Sequence, residues 1–169
     1  MAVNQKEGGI IISDNNTQPQ QPPKPDPALG RLDRLVGTWS IKGRTLDSKV
    51  DNVSARTTFE WLPGRFFLKQ SFEADFMGMQ IQSLELIGYD PASYRFPSLV
   101  YSSLVGVPIP YLYDVRGRDV TITTDLAGGA KMTGKISEDG NTFSGGWRPN
   151  PGKEGPGNVA YDFVGTRVK

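Results

Sequence analysis

The amino-acid sequence predicts an all-β protein: a closed antiparallel up-and-down barrel of about ten strands, with one short N-terminal helix that plugs an end. The 169 residues include 20 Gly and 13 Pro, which implies many turns. From Trp39 onward, apolar and polar side chains alternate in short segments, as in half-buried antiparallel strands. Because the connections are short and closure removes exposed edges, a barrel is favoured over a sandwich with long crossovers.

The first 25 residues differ in composition from the rest of the chain. They are rich in Gln, Pro and Asn and contain one apolar cluster, at residues 10–12. Such a segment buries too little apolar surface to offset the entropy lost on ordering. We therefore expect a disordered tail over residues 1–25 and one barrel domain over residues 26–169.

A helix is predicted where the barrel domain begins. Asp26 is a suitable N-cap, Pro27 suits the first helical position and Gly37 suits the end. Apolar residues recur at helical spacing, at Leu29, Leu32 and Leu35. This pattern predicts a helix of about two turns, followed by a first strand that contains Trp39.

Nine further strands are predicted from period-two alternation between turn residues. Pro63 with Gly64 and the segment 138–141, with the sequence EDGN, are clear turn signals. The predicted strands cover residues 53–61, 66–76, 80–89, 94–103, 111–115, 119–125, 131–136, 142–147 and 159–168.

Composition excludes several kinds of chemistry. The sequence contains no Cys and no His, which removes disulfides, thiolate ligands, the usual metal ligand and the usual general base near neutral pH. Lys and Arg total 19 against 18 acidic residues, so no strong net charge directs the chain toward nucleic acid or an anionic membrane. We expect no metal site, no nucleic-acid partner and no membrane partner, and no feature indicates an oligomer.

The sequence also bears on cellular location. Its first residues lack a basic segment followed by an apolar one, and no run of about 18 apolar residues occurs. The expectation is a cytoplasmic protein.

Several motifs together resemble those of a known bacterial family. They are LVGTW at 35–39, WLPGRFFLKQSF at 61–72, FMGMQIQSLELIGYD at 76–90 and the terminal YDFVGTRVK. The chain resembles a domain-of-unknown-function family of lipocalin-like (calycin) single-domain barrels. This resemblance implies that Gly37 and Trp39 are structural residues at the barrel end, where the Trp packs across the bottom beside a plugging helix.

The calycin barrels that the chain resembles include haem-binding proteins and fatty-acid carriers. Haem iron normally takes a His, Cys, Met or Tyr ligand. Because the chain has no His and no Cys, only Met77, Met79, Met132 or a tyrosine remains as a ligand, which disfavours stable haem binding. We therefore expect no cofactor. Carriage of an apolar molecule inside the barrel stays open, with a few inward polar groups to orient it.

Two candidate ligand-binding residues lie on the predicted strand 66–76. Gln70 interrupts the apolar face that carries Leu68 and Phe72, so its amide is expected to point inward. A buried amide needs hydrogen-bond partners, which a ligand or the core can supply. Phe72 is expected to line the same face.

Other candidates come from later segments. Tyr101, Tyr111 and Tyr113 flank an apolar loop that could form a lid, although such tyrosines also commonly bury their rings and keep their hydroxyls in water. Arg148 and Arg167 could pair with an acidic ligand group, and the alternative is a surface role.

Glu85 lies between two leucines in SLELIG. If Leu84 and Leu86 face the core, as we expect, Glu85 faces solvent. The opposite phase would bury the carboxylate, raise its pKa and make it a candidate acid or base.

These observations favour noncatalytic binding of a small, largely apolar molecule in the barrel interior. The alternative is an enzyme, such as an isomerase, cyclase or hydrolase, that uses Asp, Glu or Tyr in an enclosed apolar cavity. A third class is an interaction module, in which a solid barrel presents its tail or the loop 104–110 to a protein partner.

Overall fold

A computed structural model describes residues 22–168, so most of the predicted tail, residues 1–21, lies outside the described residues. Ten strands form one closed antiparallel barrel, in which each strand pairs with the next along the chain and the last pairs with the first. The strands are β1 (Gly37–Thr45), β2 (Val53–Trp61), β3 (Leu68–Phe76), β4 (Met79–Ile87), β5 (Phe96–Ser102), β6 (Ile109–Arg116), β7 (Asp119–Thr124), β8 (Ala130–Ile136), β9 (Thr142–Pro149) and β10 (Tyr161–Arg167). The predicted fold class is confirmed.

The predicted N-terminal helix is a 3-10 helix, Pro27–Leu35, and the Asp26 side chain caps it by accepting a hydrogen bond of 2.8 Å from the amide of Ala28. Its three leucines, Leu29, Leu32 and Leu35, are all buried. A spacing of three matches the three residues per turn of a 3-10 helix, so these side chains form one straight apolar stripe. A second 3-10 turn, Leu126–Gly128, lies between β7 and β8.

Three predicted strands, β3, β5 and β10, begin two residues later than expected. The reason is clearest for β3. Residue 66 was predicted to open the third strand, whereas β3 begins at Leu68. Before it the chain makes a tight turn: the amide of Arg65 donates to the carbonyl of Leu62, and Arg65 has a φ of 58°. The turn leaves the side chains of Phe66 and Phe67 exposed.

One end of the barrel, named the closed end, is sealed around Trp39. The indole is buried and its Nε1 donates a hydrogen bond of 2.8 Å to the carbonyl of Leu35. The Arg167 guanidinium lies 4.2 Å from the ring centre of Trp39 and donates to the carbonyls of Arg34, Val36 and Gly140. Arg167 thus joins the last strand to the helix and to the turn before β9.

Gly37 is positioned for this seal. Its φ is +120°, and a Cβ at this position would lie 2.6 Å from Nη1 of Arg167. Any larger residue would therefore be strained and would displace the guanidinium. The structure places Gly37 and Trp39 together at the closed end.

The opposite end, named the open end, is bordered by the loops 46–52, 77–78, 103–108, 125–129 and 150–160. No helix within residues 22–168 has both the length and the apolar character needed to cross a membrane.

Candidate functional site

The barrel interior is almost free of charge. Strand register and alternation point two charged side chains inward from the described strands: Glu85 on β4 and Arg167 on β10. The other charged residues of the ten strands lie on the outward phase: Lys42, Arg44, Arg56, Glu60, Lys69, Glu73, Asp75, Asp114, Arg116, Asp119, Lys131, Lys135, Arg148 and Asp162. Since Arg167 belongs to the closed end, Glu85 is the one charge in the middle of the interior.

Glu85 is held by a buried hydrogen-bond network. Its side chain is 2% exposed. Ser98 Oγ donates to Oε1 at 2.5 Å, and the hydroxyl of Tyr113 donates to Oε2 at 2.9 Å. Burial raises the pKa of Glu85 to about 7, although both hydrogen bonds lower it. The carboxyl group can therefore gain or lose a proton near neutral pH.

This corrects the expectation that Glu85 faces solvent. Leu84 faces outward instead, with 42% of its surface exposed, opposite Tyr101 of β5. The phase is inverted because Ser98 and Tyr113, on the next two strands, satisfy both carboxylate oxygens. Two hydrogen bonds offset part of the cost of burying the carboxyl group.

Accessibility inside the barrel differs between its two halves. Near the closed end, inward side chains such as Leu68, Ile87, Phe96 and Ile136 are at most 1% exposed. Toward the open end, other inward side chains are half-buried, namely Phe72, Phe76, Ile81, Ser83, Tyr111, Trp147 and Tyr161. Part of the exposed surface of Phe72 and Ser83 lies on the outer face, where both residues border a shallow hollow. The side chains of all seven residues nevertheless point inward by the strand register. These residues therefore border a recess that opens at the open end, named the inner recess.

Three aromatic side chains of the inner recess carry free polar groups. The rings of Tyr111 and Trp147 have centres 5.6 Å apart, and Trp147 is paired with Tyr161 in the β9–β10 register. Within residues 22–168, the hydroxyls of both tyrosines and Nε1 of Trp147 have no hydrogen-bond partner. In the same residues, no side-chain nitrogen or oxygen that is sealed from solvent lacks a partner, so each of these three atoms keeps at least a small exposed surface. We call Tyr111, Trp147 and Tyr161 the aromatic donor cluster.

The tyrosines of this cluster lie in the electrostatic environment of Glu85. Burial, and secondarily the charge of Glu85, raises the pKa of Tyr111 to about 12. Burial, with a smaller contribution from Tyr111, raises the pKa of Tyr161 as well. The pKa of Tyr113 is raised well above its ordinary value, first by burial and then by Glu85. All three hydroxyls are therefore protonated and able to donate at neutral pH.

Comparisons with known proteins identify the family. The sequence model of the family described as "Protein of unknown function (DUF1579)" matches residues 24–124, more than half of the chain. The chain belongs to the DUF1579 family. The predicted family resemblance is thereby confirmed at the level of this domain of unknown function.

The match covers the helix and β1 to β7 of this DUF1579 protein, including Glu85, Ser98 and Tyr113. Among solved structures, the chain is similar to "Crystal Structure of Rv2717c from M. tuberculosis", with 15% identity, 86% of this chain and 100% of that chain covered, and a TM-score of 0.56. At this identity the likeness shows a shared fold alone. No curated protein matches the chain.

Four of the predicted ligand-binding residues of this DUF1579 chain point into the barrel. Phe72 and Tyr111 border the inner recess, and Tyr113 lies beneath it against Glu85. Gln70 also faces inward, opposite Glu85 in the β3–β4 register, and its Nε2 donates to Oγ1 of Thr57 at 2.9 Å. Its amide therefore has a core partner for its nitrogen.

Two predicted ligand-binding residues lie elsewhere. Tyr101 is 49% exposed on the outer face, where it borders a shallow hollow of about 330 Å³. Arg148 also lies outside: it pairs with Asp162 at 2.5 Å and donates to the carbonyls of Trp147 and Tyr161. Neither lines the interior, because each follows an inward-facing residue, Val100 or Trp147, on its strand.

Sequence reasoning did not single out Trp147, Tyr161 or Ser98 as site residues. The signal for Trp147 and Tyr161 was present, since each lies on the apolar phase of its strand. Ser98 gives no such signal, because its role depends on the distant Glu85. Within residues 22–168, no group of three or more acidic side chains is arranged to hold a metal ion.

Proposed function

We propose that the barrel binds a small, largely apolar molecule in its inner recess without catalysing a reaction. The observation that carries this proposal is the half-buried state of the inward residues Tyr111 and Trp147. Ligand sites are typically concave, lined mainly by apolar and aromatic groups, and provided with a few polar groups. The inner recess has this composition.

A screen of the full chain tests the proposal. Native mass spectrometry of the purified protein is expected to show bound small molecules, or members of a lipophile library are expected to raise its Tm. Stabilisation follows because a ligand that binds only the folded state shifts the unfolding equilibrium. A protein that carries nothing and responds to no member of the library would contradict the proposal.

Two matched variants localise the binding. Ser83 points into the inner recess and Gln82 points outward from the same strand. Ser83→Phe is expected to fill part of the recess and abolish the Tm response to the lipophiles that stabilise the wild type. Gln82→Phe adds the same ring outside and is expected to leave the response unchanged.

A second candidate function is acid-base catalysis by Glu85. The observation that favours it is a buried carboxyl group with a pKa of about 7 beside the hydroxyl of Tyr113. Binding is the stronger candidate, because Glu85 is almost fully covered and both of its oxygens already accept hydrogen bonds. If a ligand from the screen is turned over, Glu85→Gln is expected to stop turnover and retain binding. Unchanged turnover in this variant would exclude the role.

A further inference from the structure

We propose that the inner recess selects uncharged ligands that carry a hydrogen-bond acceptor, such as the carbonyl group of a ketone or ester. This inference rests on the proposed function. The inference combines three features of the recess. They are its unpartnered donors, the absence of an uncommitted inward cation on the described strands, and the hydrogen bonds that already occupy both oxygens of its one carboxylate.

The first feature is the aromatic donor cluster. The indole Nε1 of Trp147 can only donate, and the hydroxyls of Tyr111 and Tyr161 each have a proton to donate. None of these groups has a partner within residues 22–168, and each keeps at least a small exposed surface. A ligand whose acceptor atom reaches one of these donors gains a hydrogen bond without breaking any within the described protein.

The second feature is the position of the one inward cation. Arg167 stacks on Trp39 and donates to three backbone carbonyls at the closed end. The hydrogen bonds of its guanidinium at the closed end thus leave it unavailable to a ligand in the recess. The carboxylate of an acidic ligand in the recess would lose hydration without gaining a counter-ion, and it would face the negative charge of Glu85. The structure therefore disfavours acids.

The third feature concerns amines. Glu85 is the one inward acid of the described strands, but Ser98 and Tyr113 occupy both of its oxygens. The carboxylate is also almost completely covered. An ammonium group would have to displace these donors to form an ion pair. The free groups of the recess thus match an acceptor better than a cation.

Four probes with one apolar body test the inference on the full chain: naphthalene, 2-acetylnaphthalene, 2-naphthoate and 2-(aminomethyl)naphthalene. Calorimetric titration at about pH 8 keeps Glu85 mainly ionised. We expect the ketone to bind about threefold to tenfold more tightly than naphthalene, since one hydrogen bond contributes a factor of this order. We expect the acid and the amine to bind at least tenfold more weakly than the ketone.

Variants of the donor cluster provide the second part of the test. Tyr111→Phe and Tyr161→Phe each remove one hydroxyl and keep the ring. At least one is expected to weaken binding of 2-acetylnaphthalene about threefold to tenfold while leaving naphthalene binding unchanged. Tyr101→Phe, on the outer face, is the matched control and is expected to change neither.

The outcomes separate the inference from the proposed function. An acid or amine that binds as tightly as the ketone would overturn the inference and leave the proposed function intact. The same holds if the ketone gains nothing over naphthalene, or if neither tyrosine variant affects the ketone selectively. If none of the four probes binds, naphthalene included, the inference is overturned, and the lipophile screen described above decides the proposed function separately.

Discussion

The two ends of this barrel use the same strand alternation for different purposes. At the closed end, Trp39, the N-terminal 3-10 helix and Arg167 fill the space and satisfy one another's polar groups. Toward the open end, Tyr111, Trp147 and Tyr161 also point inward, yet they keep accessible surface, and their donors have no partner among residues 22–168. The difference teaches that inward aromatic residues alone do not indicate a solid core. What distinguishes the ends is whether each polar atom of these residues already has a partner.

The largest expected effect compares one tryptophan from each end. Trp39→Ala is expected to lower the free energy of unfolding by about 3 to 5 kcal/mol, because it leaves a large cavity in a sealed region. Urea unfolding measures the loss. Trp147→Ala is the partner variant and is expected to cost clearly less, since Trp147 is only partly buried. Equal losses would erase the proposed distinction between the ends.

The second prediction concerns Glu85, between the two ends. Its pKa is raised from 4.5 to about 7 on folding, so the folded state binds the proton more tightly. The resulting stabilisation is present below about pH 4.5 and is lost as pH rises through about 7. Relative to Glu85→Gln, the wild type is expected to lose about 3 kcal/mol of unfolding free energy between about pH 4.5 and pH 8.

Urea unfolding of both proteins across this pH range measures the difference. The Glu85→Gln variant is the control for the wild type, because the two proteins share all other titrating groups. Parallel pH profiles for the two proteins would mean that the Glu85 carboxyl group is not buried as described.

The third prediction compares two arginines. Arg167→Met keeps an apolar stem over Trp39 but removes the donors to three carbonyls, and it is expected to cost about 2 kcal/mol. Arg148→Met breaks an exposed pair with Asp162 on the outer face and is expected to cost less than about 1 kcal/mol. Thermal unfolding ranks the two. A larger loss of stability for Arg148→Met than for Arg167→Met would contradict the role of Arg167 in sealing the closed end.

The smallest predicted effect tests the helix at the closed end. Asp26→Ala removes the cap on the amide of Ala28 and is expected to cost about 1 kcal/mol. Asp26→Asn keeps an acceptor and is expected to recover most of the stability. The measurement is the midpoint of urea unfolding. A cost of several kcal/mol for the Asn variant would indicate that charge, not capping, matters at this position.

Much of the fold was predictable because it depends on local patterns. The leucines at 29, 32 and 35, the turns and the alternating segments each carry their signal within a few residues. Strand phase was predictable where one phase is purely apolar, as in β2 with Val53 and Phe59. These features led to the ten-strand barrel with a plugged end.

The candidate site was less predictable because it depends on distant partners. In β4 both phases contain apolar residues, so the sequence around Glu85 does not fix which phase is inside. Ser98 and Tyr113, 13 and 28 residues further along, decide the question by supplying hydrogen bonds. The outward position of Tyr101 likewise follows from register, because both phases of β5 contain apolar residues. The outward position of Arg148 was readable from its own strand, since Trp147 before it lies on the apolar phase.

The Arg167 side chain bonds to carbonyls 131 and 133 residues earlier in the chain. β1 pairs with β2 along one edge and with β10 along the other. During synthesis, the edge of β1 that pairs with β10 therefore stays without this partner until β10 has left the ribosome. Contacts of such large sequence separation slow folding and lengthen the time in which an exposed strand can aggregate. Closure of this barrel therefore waits for the last strand of each newly made molecule.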